Sequence, residues 1–257
     1  LLGEKHDDPE HHRLRADLIE SIVRAGQRPA VVFEQFDLGN DASIAAAQAG
    51  NADAEQLADA GKLDRRAWLW PMHKALIDAV LALHLPVHAG NASSAALERV
   101  LRRGEPPADP RWASRLDSAV WSQAQADALR KEIVESHCNQ LPDSVVPRLV
   151  LAQRTRDAAM AQALIDSANA DGAILLAGNG HVRRDLGVPV YLTGIDAASI
   201  LSVGFIEVSD EDRRAADFPR NVARDEPGFD IMVLTGKVDR GDPCEAMKQF
   251  RRAPAAK

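Results

Sequence analysis

Residues 1–34 read LLGEKHDDPEHHRLRADLIESIVRAGQRPAVVFE, and this stretch decides the fold. A short apolar run at Leu1–His6 precedes an amphipathic helical pattern and then the β-rich run Ala30–Glu34. Asp8 suits the N-cap of the helix, and Pro9 suits its first turn. A strand–helix–strand unit with a right-handed crossover makes its two strands parallel, so we predict an α/β fold built on a parallel sheet.

The rest of the chain continues this alternation and then departs from it. Further strands are predicted at Leu85–Ala89, Ala173–Ala177, Val188–Thr193, Leu201–Val208 and Phe229–Thr235. Helices are predicted around Ala42–Gln48 and Ala54–Ala60, and from near Pro71 onward. Residues 93–167 show a helical pattern that no predicted strand interrupts. We therefore predict one α/β domain over residues 1–257, with a mostly parallel sheet flanked by helices and a helical insertion at about 93–167.

The C-terminal part of the chain leaves two structural questions open. Asp210–Asp225 is charged and predicts an exposed loop or a short helix, and Arg251–Lys257 predicts a frayed end. The two cysteines allow two alternatives. They are buried reduced thiols, or they form a Cys138–Cys244 disulfide that ties the tail to the body and implies an oxidising compartment.

Composition narrows the class of partner. The formal net charge of −7 provides no broad attraction for a polyanion, so a nucleic-acid partner is not expected. Apolar residues make up 46% of the chain and charged residues 27%, which is typical of a packed globular protein. No apolar run reaches 18 residues, so no membrane-spanning helix is predicted. The chain does not begin with Met, and we expect that a further segment precedes it.

Polar side chains follow three of the predicted strands. Glu4 and His6 follow the first strand, Glu34 ends the second, and the sequence GNGH at 178–181 follows the strand after the insertion. Ligands of open parallel sheets bind outside the carboxyl ends of the strands. We therefore expect Glu4, His6, Glu34 and His181 to share one crevice.

Two helix starts add imidazoles to the same edge. His11 lies one turn before Leu14, on the inward side of the first helix, and His73 shares a helical face with Leu76. Since each crossover helix begins near the carboxyl ends of the strands, both rings are expected there. His12 is interpreted as a capping or surface residue.

Carboxylates and imidazoles in one crevice allow three kinds of chemistry. They bind a metal with mixed nitrogen and oxygen ligands, they run acid–base chemistry, or they hold a haem. The sequence has no Walker loop for nucleotide phosphates and no Gly-x-Ser-x-Gly elbow for a hydrolase serine. It also has no Cys-x-x-Cys pair for a zinc ribbon or for c-type haem attachment.

The polar segments resemble the motifs of one family. LGEKHDDPEHH at 2–12 resembles the opening motif of the ChaN-like proteins, which are haem-binding, iron-regulated bacterial lipoproteins of the Tiki superfamily. Phe33-Glu34, QRTRDAAMA at 153–161, and AGNGHVR at 177–183 followed by Gly187-Val188-Pro189 resemble their later motifs, in the same order. The resemblance extends to about Leu192. It implies haem uptake or storage at the bacterial cell envelope, on the periplasmic side or at the outer membrane. It also implies a lipid anchor outside this chain and a homodimer that encloses haem.

The same resemblance implies a tyrosine ligand for the iron. The only tyrosine of this chain is Tyr191, within a predicted strand. Where relatives have a Trp-x-x-Tyr-like segment, this chain has Trp70-Pro71-Met72-His73, so His73 is the predicted iron ligand and is preferred to Tyr191. The alternative is that His73 only packs on its helix. Trp68, Trp70 and Met72 would form apolar walls. The predicted haem-binding residues are Glu4, His6, His11, Glu34, His73, Asn179, His181, Arg183 and Tyr191, with His6, His11, His181 and Arg183 meeting the propionates.

Two further hypotheses remain open. The superfamily that the chain resembles also contains metalloproteases and esterases that use a Gly-x-x-His element with glutamates, and Gly3-Glu4-Lys5-His6 fits that element. A metal-dependent hydrolase that binds a divalent ion at the same cluster is therefore the alternative to a non-enzymatic haem protein. In the third hypothesis, the chain is an interaction domain whose polar cluster is structural.

Overall fold

Parallel strands form the centre of the fold. The computed structural model describes residues 1–214, 228–242 and 244–245. Its strands are β1 (Ala30–Asp37), β2 (Val87–Asn91), β3 (Ala173–Leu176), β4 (Val203–Val208) and β5 (Ile231–Gly236). β1 pairs in parallel with β2 and with β3, and β4 pairs in parallel with β5. The predicted α/β class with a parallel sheet is confirmed.

The predicted first strand is reduced to one bridging residue. Leu2 bridges Leu176 of β3 on one side and Val203 of β4 on the other, in parallel with both. The order across the sheet is therefore β2, β1, β3, Leu2, β4 and β5. After Leu2 the chain leaves the ladder, and the segment with Glu4 and His6 continues past the strand ends.

Helices cover both faces of the sheet. They are α1 (Pro9–Arg24), α2 (Asp41–Ala49), α3 (Ala54–Ala60), α4 (Lys74–Ala82), α5 (Ser94–Arg103), α6 (Pro110–Ser118), α7 (Gln123–Ser136), α8 (Val146–Ser167), α9 (Asn179–Val182) and α10 (Asp210–Arg214). Val31 and Phe33 point to one core with α1 and α4, whereas Val32 points to a second core with α8, as strand alternation requires. Helices α5–α8 fill the predicted insertion between β2 and β3. That the whole chain, residues 1–257, forms one domain stays a prediction.

Two further predicted elements differ from the structure. Val188–Thr193 is not a strand, because Val188–Tyr191 forms a 3₁₀ turn in which Pro189 has no N–H for a sheet ladder. The helix expected from near Pro71 begins at Lys74, after a run of turns. The first residues of the predicted Asp210–Asp225 segment, Asp210–Arg214, form the short helix α10. The rest of that segment, from 215, and the predicted frayed end Arg251–Lys257 lie outside the described residues.

The two cysteines form a disulfide, which settles the two alternatives. Cys138 lies just after α7, and its Cα lies 5.6 Å from that of Cys244. The bond joins residues 106 positions apart, and so ties the segment after β5 to the helical layer. In the described part of the chain, no helix is both long enough and apolar enough to cross a membrane.

Candidate functional site

Buried polar side chains collect at the carboxyl ends of β1, β3 and the Leu2 segment. Two groups form around two glutamates. The Glu4 cluster consists of Glu4, His6, His12, Arg15, Gln35 and His73. The His181 triad consists of Glu34, Asp157 and His181.

One oxygen of Glu4 contacts three nitrogens. Its Oε1 lies 2.8 Å from His6 Nδ1, 3.1 Å from Gln35 Nε2 and 3.2 Å from His73 Nε2. The Glu4 side chain has no solvent exposure. A buried carboxylate is costly unless polar partners replace water, and the N–H groups of His6 and Gln35 supply them at this oxygen.

The other oxygen faces helix α1. Glu4 Oε2 contacts the guanidinium of Arg15 directly and lies 3.0 Å from His12 Nδ1. Arg15 is completely buried, and burial lowers its pKa to about 9, against the attraction of Glu34. The guanidinium therefore stays cationic near neutral pH and compensates the charge of Glu4. Its Nε and Nη1 atoms have no hydrogen-bond partner among the described residues.

The imidazoles of His12 and His73 are neutral. Burial lowers the pKa of His73 to about 2, helped by His12, Arg15 and His6 nearby. Its Nδ1 lies 3.2 Å from the Trp68 carbonyl, to which it donates, so Nε2 accepts from Gln35. Burial also lowers the pKa of His12, whose Nε2 donates to the His6 carbonyl. Both rings thus use both nitrogens inside the protein.

His6 is the exposed imidazole of the Glu4 cluster. Its side chain is 43% exposed, whereas His73 is fully buried. The His6 ring meets the Trp68 ring edge-on at a centroid distance of 4.9 Å. A Cβ at Gly178 would lie 2.9 Å from His6 Nε2, so only glycine leaves room for the ring there. Beside Trp68, Leu69 is 49% exposed and contributes an apolar surface.

The His181 triad has the opposite balance of charge. His181 Nδ1 lies 2.6 Å from Asp157 Oδ1, and its Nε2 lies 3.2 Å from Glu34 Oε1. Burial opposes protonation, but the charges of Glu34 and Asp157 raise the pKa of His181 to about 10. Burial raises the pKa of Asp157 to about 6, and His181 opposes that rise.

Glu34 links this triad to the turn after β3. Its Oε2 accepts a hydrogen bond of 2.7 Å from the backbone N–H of Gly178. Although burial acts in the other direction, the charge of His181 holds the pKa of Glu34 well below its usual range. Glu34 is therefore an anion that fixes the Gly178 backbone against which His6 lies.

The structure brings the four strand-end residues Glu4, His6, Glu34 and His181 to one edge, and His73 joins them through Glu4. Two other predicted residues fix backbone beside them. His11 Nδ1 accepts a hydrogen bond from the Lys5 N–H, and the Asn179 amide pairs with the N–H and the carbonyl of Phe205. These hydrogen bonds hold the two turns in place.

The last two predicted residues lie in other contacts. Arg183 forms an ion pair of 2.7 Å with Asp185. Tyr191 is fully buried, and its hydroxyl accepts from Arg154 Nε at 3.0 Å. Burial, followed by the charge of Asp157, raises the pKa of the Tyr191 phenol above its usual range. Neither an exposed phenol nor an accessible phenolate is present at Tyr191.

Sequence reasoning missed four members of the site, namely His12, Arg15, Gln35 and Asp157. Arg15 lies one helical turn after His11 and His12, so the three residues form a polar stripe beside the apolar one. The apolar residues Leu14 and Leu18 are only partly buried, because the deepest face of α1 points to Glu4. Asp157 lies within the family-like motif at 153–161, but the sequence alone indicates no role for it.

A family profile matches most of the chain, and one solved structure agrees with this architecture. The sequence profile of the family described as "Haem-binding uptake, Tiki superfamily, ChaN" matches residues 1–192. Among solved structures, ChaN of Campylobacter jejuni, reported for cofacial haem binding, aligns with a TM-score of 0.67 and 19% identity over 79% of each chain. A Bacillus cereus protein aligns with a TM-score of 0.47 and 11% identity, over 81% of this chain and 67% of that one. A comparison with curated proteins finds no match.

Proposed function

The chain belongs to the ChaN haem-binding uptake family of the Tiki superfamily, and from that premise we propose that it binds haem in haem or iron uptake or storage. One observation carries the proposal. The half-exposed imidazole of His6 is anchored on the buried Glu4 carboxylate and meets the apolar ring of Trp68 edge-on. A metal-binding histidine typically donates its other N–H to a carboxylate in this way.

The residues present fit a haem. Haem requires an apolar wall, a side-chain donor for its iron and polar partners for its propionates. The side chains of Trp68, Trp70 and Met72 are partly buried and Leu69 is exposed, so this loop offers apolar surface next to His6. His11 and His181 are buried in internal hydrogen bonds, and we propose that they position the site. The proposed contact of Arg183 with a propionate would require it to leave its ion pair with Asp185.

Hemin titration of the purified protein, followed at the Soret band, tests the proposal. We expect a saturable change of the Soret band, and the same change in the His84→Ala variant, because His84 is an exposed histidine outside the site. A titration with no saturable change in the wild type would overturn the proposed function.

We also propose a location in the bacterial envelope, with a lipid anchor outside this chain. The Cys138–Cys244 disulfide supports it, since such bonds persist in oxidising compartments. In intact cells, a thiol reagent that crosses membranes is expected to leave both cysteines unmodified until a reductant is added. Modification without reductant would contradict this location. A homodimer around haem is proposed from the family, and sedimentation with and without hemin measures it.

A metal-dependent hydrolase is the second candidate. Ligand atoms of Glu4, His6 and His73 all lie within 4.8 Å of one another, which suits a mixed nitrogen and oxygen site. The Arg15 cation already compensates Glu4, and a divalent ion beside it would meet electrostatic repulsion. Protease or esterase activity that appears only with an added divalent ion would support this candidate over haem binding.

A further inference from the structure

We propose that Nε2 of His6 is the axial donor to haem iron, and that Glu4, held by Arg15, is the positioning residue that prepares it. This inference rests on the proposed haem binding and names the ligand atom within the same site. It differs from the tyrosine that the family resemblance implies and from His73, which the sequence favours.

Exposure separates the candidate donors. A haem that binds without rearrangement of the core requires a donor side chain that solvent already reaches. The His6 side chain is 43% exposed, whereas His12, His73 and Tyr191 are buried. Tyr191 in addition hydrogen-bonds Arg154, so its oxygen is engaged inside the protein. His6 alone among these four groups meets haem without a rearrangement of the core.

The tautomer of His6 follows from its contact with Glu4. The 2.8 Å distance between His6 Nδ1 and Glu4 Oε1 places the ring proton on Nδ1, because an ionised carboxylate only accepts. The lone pair is then on Nε2, which has no hydrogen-bond partner among the described residues. In His73, both nitrogens already have partners within the core.

Arg15 explains why Glu4 stays an anion at zero exposure. The guanidinium contacts the Glu4 oxygen that does not face His6, so it supports the charge without competing for the His6 proton. A carboxylate behind an imidazole makes the ring a stronger donor and favours the more highly charged metal state. The bound iron is therefore expected to favour the ferric form.

The remaining surroundings suit a ligand on this side of the ring. The Trp68 ring fixes one edge of His6, and Gly178 supplies a surface without a side chain at Nε2. In the same turn of the chain, Leu69 is exposed and Met72 is partly buried. A ring held on three sides, with its free nitrogen beside an apolar surface, suits a planar apolar ligand.

Replacement of His6 with rescue by imidazole tests the donor. His6→Gly should lose more than about tenfold in hemin affinity, since loss of a group behind a ligand already costs that much, and its Soret band should move away from that of an imidazole complex. Added imidazole should restore the band. His84→Ala, at an exposed histidine outside the site, is the matched control and should retain the wild-type band, and His73→Gln tests the alternative donor.

The outcomes are distinct. If the wild type takes up no hemin, the proposed function fails. If the wild type binds hemin and His6→Gly retains its affinity and spectrum, haem binding stands and the His6 assignment is wrong. A spectrum lost only in His73→Gln would instead establish His73 as the donor.

The reduction potential of bound haem, measured after replacement of Glu4, tests the positioning role of this residue. Glu4→Gln should make the reduction potential of bound haem more positive, because a neutral amide polarises the His6 N–H less. His12→Gln alters the contact at the other Glu4 oxygen and should shift the potential much less. If Glu4→Gln does not fold, Glu4→Gln/Arg15→Met removes both charges and should give the same positive shift. An unchanged potential in a folded Glu4 variant would overturn the role of Glu4.

Discussion

The Glu4 cluster and the His181 triad contain the same types of residue in opposite charge states. In the Glu4 cluster, one carboxylate and one guanidinium compensate each other, and burial keeps His73 neutral, with a pKa of about 2. In the His181 triad, two carboxylates enclose one imidazole and raise its pKa to about 10. A neutral imidazole has a lone pair for a metal, whereas a protonated one has none. The difference suggests that the first group serves binding and the second holds the strand ends together.

The largest expected effect is on stability, from His181→Gln. The substitution leaves Glu34 and Asp157 buried without their cation, and breaking such a buried ion pair typically costs about 3–5 kcal/mol. Urea unfolding measures the loss. His6→Gln is the matched control, with an expected loss below about 1 kcal/mol, because His6 is half-exposed. Equal losses in the two variants would remove the distinction between the groups.

The pH dependence of stability should show that His181 is protonated in the folded protein. His181 binds its proton more tightly in the folded protein, with a pKa of about 10 against a reference value of 6.5. Its contribution is therefore complete below about pH 6.5 and is lost as the pH rises toward 10, with a slope of up to about 1.4 kcal/mol per pH unit.

Unfolding free energies measured between pH 6 and 10 in the wild type and in His181→Gln test this expectation. The wild type should lose stability across the range, and the variant should show a flatter profile. A wild-type stability that rises with pH would show that His181 is neutral in the fold.

The strand-end part of the site was predictable from the sequence, because it follows from local patterns. Glu4 and Glu34 come directly after apolar runs, and parallel topology brings such ends together. The burial of Arg15 was not predictable, since it depends on Glu4 from another segment. Asp157 depends in the same way on His181, 24 residues away. Tyr191 was misplaced because a β-branched run favoured a strand, although Pro189 prevents its ladder.

A smaller effect is expected from Asp157→Asn. The amide keeps a hydrogen-bond acceptor for His181 but removes the charge, so we expect a loss of about 1–2 kcal/mol at pH 8. Because burial raises the pKa of Asp157 to about 6, the wild-type carboxyl is mostly protonated at pH 5. A folded-state pKa above the unfolded one means that the wild type gains stability as the pH falls through about 6, whereas the amide does not titrate. The cost of the variant should therefore grow at pH 5, as measured by urea unfolding at the two pH values. A cost that is smaller at pH 5 than at pH 8 would contradict the raised pKa.

The smallest effect on stability, and the most local one, is expected from Gly178→Ala. The backbone of Gly178 is extended, with φ −61° and ψ 152°, so alanine adopts it without strain. The new Cβ would lie 2.9 Å from His6 Nε2, and the half-exposed ring must move away. Because that movement takes place toward solvent, the expected loss of stability is below about 1 kcal/mol. Hemin affinity should nevertheless fall, since the ring leaves the position that Glu4 sets.

Gly180→Ala is the matched control, because its Cβ would meet Glu132 Oε1 at 3.2 Å and would leave His6 in place. Thermal unfolding and hemin titration of the two variants decide the point. If both alanines lower the affinity equally, the turn as a whole matters for binding and the close contact of Gly178 with His6 does not.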